Sequence, residues 1–130
     1  MLSKYEILNI LGKYQIDPNK VVIMSGASMV LHNIKEKTSD IDFSVSEEYE
    51  KFLLENYTCK VEKITPDGHK VWFIDGVLNF STNYWGEFET EEIAGYQVQT
   101  LESIYELKKS LKRGKDKDDL DAIMKVLGKR

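Results

Sequence analysis

One cysteine, two prolines and no long apolar run mark this 130-residue chain. Cys59 has no partner for an internal bridge, which removes a disulfide scaffold and points to a reducing compartment. Its strand-like neighbours give it the role of a small core or edge side chain. Pro18 and Pro66 both fall in turn signals, Asp17-Pro18-Asn19 and Pro66-Asp67-Gly68-His69, so neither interrupts an element. Nothing approaches the roughly 20 apolar residues of a membrane span. Met1-Leu2-Ser3-Lys4-Tyr5-Glu6 lacks the apolar segment of a signal peptide. A cytoplasmic protein is expected. Repeats, low-complexity tracts and linkers are lacking too, and the length suits one domain over residues 1–130. Histidine and cysteine never cluster at zinc spacing. His32 sits near an apolar helical stripe, His69 in a turn, and both read as non-ligands.

Apolar residues make up 42% of the chain, enough for a core without staples. The net charge of −4 conceals an asymmetry. Residues 108–130 hold nine Lys/Arg and four Asp, leaving the first 107 residues strongly acidic. A basic C-terminal segment against an acidic body suits a polyanionic ligand held between them, or simply a solvated helix face.

The pattern predicts a helix over 2–14, a buried strand at Val21-Val22-Ile23-Met24, and a helix with Ala27, Val30, Leu31 and Ile34 on one face. Ile41, Phe43 and Val45 alternate with Asp42 and Ser44 as a half-buried strand. Ser46-Glu47-Glu48 opens a helix running to about Asn56, by a capping hydroxyl and acids in the first turn. Turn chemistry then gives a β-meander over 57–64, 71–74 and 77–82. A short strand over 95–100 and two helices separated at Gly114 complete an α+β fold, a small mixed sheet flanked by helices with a helical C-terminal segment.

Two motifs carry chemistry. Asp40 and Asp42, at i and i+2 on a strand, share a face. Paired carboxylates there can hold hard divalent cations that also bridge phosphates. Gly26-Ala27-Ser28, at a strand-to-helix turn, lets backbone approach a ligand closely. It also offers free N–H groups for phosphate, with the Ser28 hydroxyl as a further donor. Trp72, Tyr84 and Trp85 could stack on a base, though Trp72 reads better as packing.

Met24-Ser25-Gly26-Ala27-Ser28-Met29-Val30-Leu31-His32 followed by Thr38-Ser39-Asp40-Ile41-Asp42-Phe43 resembles the nucleotidyltransferase superfamily with the DNA polymerase β-like fold. It looks most like small bacterial and phage-borne members, including abortive-infection and toxin–antitoxin proteins. A second block, Leu107-Lys108 and then Arg113-Gly114-Lys115-Asp116-Lys117-Asp118-Asp119-Leu120, is similar to their C-terminal motif. The resemblance spans about residues 20–124. It implies transfer of a nucleoside monophosphate from a nucleoside triphosphate to a hydroxyl on RNA, protein or a small molecule. Asp40 and Asp42 would ligate Mg²⁺ or Mn²⁺. Gly26, Ala27, Ser28, Lys108, Arg113 and Lys115 would hold the triphosphate, with Asp116 and Asp119 bracing those cations. A domain this small needs something else to cover its cleft, a second subunit, a partner protein or the acceptor. The third carboxylate of the family falls at Asn79, which carries no charge and takes no proton. Asp75 is a candidate substitute. Asn79 therefore also supports an alternative, a catalytically degraded member that binds nucleotide, RNA or protein as a regulatory module.

Overall fold

The computed structural model describes residues 1–82 and 88–128. Tyr84 and Trp85 lie outside the described residues. Seven strands form one mixed sheet: β1 (Val21–Met24), β2 (Ile41–Val45), β3 (Lys60–Ile64), β4 (Lys70–Ile74), β5 (Leu78–Thr82), β6 (Thr90–Ile93) and β7 (Tyr96–Gln99). Their order is β3-β4-β5-β2-β1-β7-β6. The helices are α1 (Lys4–Lys13), α2 (Ser25–Leu31), α3 (Glu47–Asn56), α4 (Leu101–Leu111) and α5 (Lys117–Leu127), with a 3₁₀ turn at Gly114–Asp116 between the last two. The α+β class is as the sequence predicts.

Local chemistry explains the boundaries. Ser3 and Glu6 form a capping box at α1, and Ser46 accepts the Tyr49 N–H at the head of α3. Asp75 and Gly76, both at positive φ, turn the chain in the three-residue connection between β4 and β5. Lys112 in the left-handed region ends α4. The strand at β6, Thr90-Glu91-Glu92-Ile93, is not among those the sequence pattern predicts. It is an acidic sheet edge with little apolar signal, and it forms by antiparallel pairing to β7.

One face of the sheet is apolar. Ile23, Ile41, Phe43, Leu78, Phe80 and Val98 on the strands pack with Ile7 and Leu11 of α1, Val30 and Leu31 of α2, and Leu53 of α3. Phe43 and Phe80 stack across the β2–β5 pair. Because side chains alternate along a strand, burying Ile41 and Phe43 turns Asp40, Asp42 and Ser44 to the opposite face. At the edge of that face, α4 and α5 pack with Met29 of α2 through Leu101, Ile104 and Ile123. A cleft opens between them.

Candidate active site

The cleft, of about 220 Å³, is lined by Ser25, Gly26, Thr38, Asp40 and Asp42 from the sheet side and by Ile104, Leu107, Lys108, Leu111, Arg113, Lys115, Asp116 and Asp119 from the α4–α5 side. Lys35, Lys63 and Gln99 complete it. Residues far apart in sequence thus converge because β2 lies centrally and the C-terminal hairpin folds back over its end.

Asn79 stands level with Asp42 in the parallel β2–β5 register. Its Nδ2 donates to Asp40 Oδ2 at 3.0 Å and to Asp42 Oδ1 at 3.1 Å. A single amide therefore bridges the two carboxylates from the position predicted for a third acid. Burial, then the neighbouring Asp40 charge, pushes the Asp42 carboxyl up to about 6, against the Asn79 hydrogen bond and the Lys63 charge. Two close carboxylates, one of them desolvated, leave negative charge unmatched. That donor set fits a hard divalent cation. Turned by half a rotation, the same amide would present its carbonyl oxygen to the same point. Among the described residues no three His, Cys, Asp or Glu side chains converge as a metal-holding group.

Asp75 does not reach the cleft. Its carboxylate accepts a hydrogen bond from the Tyr14 hydroxyl, and the turn it helps to make holds it there. The sequence-based substitute for the third acid is therefore corrected.

The phosphate turn also needs revision. Gly26 lines the cleft, whereas Ala27 and Ser28 are buried beneath it. The Ser28 hydroxyl is spent on the Gln99 carbonyl at 2.6 Å. Ser25 faces the cleft instead, in the left-handed region at φ 56, with its N–H on Gln99 Oε1 at 3.0 Å. A Cβ at Gly26 would meet Thr38 Oγ1 at 2.6 Å, so this glycine serves close approach. With only seven residues, α2 has too short an axis to carry the site by its dipole.

Asp116 and Asp119 brace two of the three predicted cations, Lys108 and Arg113, and Lys35 besides. Lys108 Nζ lies 3.3 Å from Asp116 Oδ1 and 3.4 Å from Asp119 Oδ2. Arg113 Nε donates to Asp116 Oδ2 at 2.7 Å, and Lys35 Nζ lies 3.5 Å from Asp119 Oδ1. Burial raises the Asp116 carboxyl, but Arg113 and Lys108 outweigh it and hold the group below the usual carboxylate range. Lys108 is nearly buried, which fixes the ammonium at the cleft wall.

Two further residues, which no sequence motif marks, belong here. Gln99, fully buried, ties the turn to α4, because its Nε2 donates to Ser103 Oγ at 3.1 Å. Nothing in the alternation of β7 singles it out. Lys63 comes from β3, distant in sequence and delivered by sheet order. The His32 ring nitrogens face the Gln99 carbonyl at 2.9 Å and Glu91 at 3.2 Å, and His69 sits beside Asp67 in its turn.

Among solved structures, a Thermotoga maritima protein described as a candidate nucleotidyltransferase superposes with a TM-score of 0.62 over 99% of this chain and 97% of its own, at 21% identity. The two chains share one fold. ANT(2″)-Ia, solved in complex with adenylyl-2″-tobramycin, shares this fold with a TM-score of 0.57 over 95% of this chain and 86% of its own, at 15% identity. Neither protein-family models nor curated proteins give a match to the sequence. In this shared fold, the cleft lies between the central strands and the C-terminal helices.

Proposed function

We propose that the chain binds a nucleoside triphosphate in this cleft and transfers its nucleoside monophosphate to an acceptor oxygen, with release of pyrophosphate. The observation that carries the reading is the convergence of Asp40, Asp42 and Gly26 with Lys108, Arg113 and Lys115 in one cleft. The shared fold supports it, one neighbour having been solved with an adenylylated compound.

Asp40 and Asp42 hold a divalent cation, Mg²⁺ or Mn²⁺, with the Asn79 amide oxygen as an added donor. Bound there, such a cation supplies charge neutralisation on phosphate oxygens. Gly26 lets the phosphates approach the backbone. Lys108, Arg113 and Lys115 offset the triphosphate charge and stabilise the charge that grows on departing pyrophosphate. Arg113 adds directional donors, Lys108 and Lys115 point charges.

Calorimetric titration with each of the four nucleoside triphosphates in Mg²⁺ tests this. Asp40→Ala should abolish binding, and Asp75→Ala should leave the affinity within about twofold, since its contact lies elsewhere. Equal binding by wild type and Asp40→Ala would sink the reading. Asn79 favours one second reading, a nucleotide-binding regulatory module without turnover. Binding without transfer of an α-phosphate label to any acceptor separates it from the first.

A further inference from the structure

The edge strand β3 departs from regular pairing beside the site. Val61 pairs with Trp72 and Lys63 with Val71, so Glu62 is an extra residue in the ladder. In regular register Lys63 would stand opposite Lys70, on the far face and beside a like charge. The bulge instead puts it on the face of Val71, which is also the face of Asn79 and Asp42, through the β4–β5 and β2–β5 registers. Lys63 accordingly lines the cleft, and its charge acts on Asp42. It approaches the carboxylates across the sheet, whereas Lys108, Arg113 and Lys115 come from the α4–α5 hairpin.

Among the described cleft-lining residues, no carboxylate stands free to act as a base once Asp40 and Asp42 hold a cation. The amide of Asn79 donates toward both carboxylates and cannot take a proton. Among the described cleft-lining residues the other carboxylates are Asp116 and Asp119, both committed to Lys108, Arg113 and Lys35. A neutral hydroxyl acceptor needs its proton removed as it attacks. An acceptor whose attacking oxygen is already ionised needs none, and it needs a nearby positive charge to enter an acidic site.

We propose that the acceptor is such an anion, a phosphate or carboxylate oxygen, and that Lys63 is the residue that docks it. The inference rests on the nucleotide-transfer reading above. The acceptor oxygen forms a bond to the α-phosphorus, the bond from that phosphorus to the bridging oxygen breaks, and pyrophosphate leaves with the electron pair. No proton is lost from the nucleophile.

The full chain with Mg²⁺ and each α-³²P-labelled nucleoside triphosphate is offered inorganic phosphate, acetate or glycerol in turn. Labelled nucleoside diphosphate from phosphate, or acetyl nucleotide trapped as the hydroxamate from acetate, is the expected product and tells the two anions apart. Transfer to glycerol should be slower by about 100-fold or more, the contribution of a missing general base. Lys63→Ala should raise the KM for the anion about tenfold, the scale of one charge-assisted contact, and Lys63→Arg should restore most of it. Nucleotide affinity by calorimetry should change less than that KM in Lys63→Ala, because Lys108, Arg113 and Lys115 still hold the triphosphate. Asn79→Asp should gain transfer to glycerol. Transfer to glycerol as fast as to either anion, an unchanged KM in Lys63→Ala, or bound nucleotide with no transfer to any acceptor would overturn the proposal. Failure to bind nucleotide at all would instead overturn the reading beneath it.

Discussion

Gly26 and Asp116 show how much single residues decide in this cleft. Gly26 is needed because Thr38 Oγ1 occupies the space a Cβ would enter. Thr38 cannot retreat easily, since its backbone is paired both ways to Leu2. Gly26→Ala should therefore cost about 1–3 kcal/mol by overpacking, read from denaturant midpoints. Adding Thr38→Ala should recover most of that loss, a coupling a double-mutant cycle resolves. Asp116 is nearly buried between Arg113 and Lys108. Its carboxyl is held low, so the stability it contributes is present above the ordinary carboxylate range and is lost as pH falls through the lowered value. Wild type should lose stability below about pH 4, and Asp116→Asn should show a shallower slope there. At neutral pH the variant should be about 1 kcal/mol less stable, because the buried Lys108 is left with Asp119 alone and the part-exposed Arg113 loses its partner. Urea titrations from pH 3 to pH 7 check both.

At the scale of elements, the α4–α5 hairpin presents Lys108, and its entry is fixed by the Thr100 cap, which accepts the Ser103 N–H. Thr100→Ala should cost about 1 kcal/mol in thermal unfolding and weaken nucleotide binding only modestly, because Gln99 still anchors Ser103. The same element scale explains what sequence patterns could and could not show. The turn after β1, the β2 alternation and the Asp75-Gly76 hairpin are local signals, whereas the place of Asn79 beside the Asp40/Asp42 pair follows from the family resemblance and is made by the β2–β5 pairing. The bulge at Glu62 and the acidic edge β6 are settled by pairing with β4 and β7. Neither has a local hydrophobic signature. The expectation for Asp75 fails for a related reason: parity along the strand cannot say which way a turn residue leaves, and Tyr14 from α1 captures it.

Across the whole molecule, the net charge is −4, yet the cleft gathers Lys35, Lys63, Lys108, Arg113 and Lys115 against four aspartates. Attraction for a polyanion is therefore local and opposed by the body of the protein. Raising salt from about 0.05 to 0.5 M shortens the screening length several-fold. Nucleotide affinity in Mg²⁺ should fall by about tenfold over that range, measured by calorimetry. Within the described residues no helix is long and apolar enough to cross a membrane.

The sequence by itself determined the helices, most strands, the α+β class and the facing of Asp40 with Asp42, because these follow from local propensity and from the period of two along a strand. The tertiary structure decided which groups meet them. Strand order brought Asn79 and Lys63 to the carboxylates, core packing turned Ser28 inward and Ser25 outward, and Tyr14 held Asp75 away. Each of those outcomes depends on long-range pairing and burial, which no local pattern encodes.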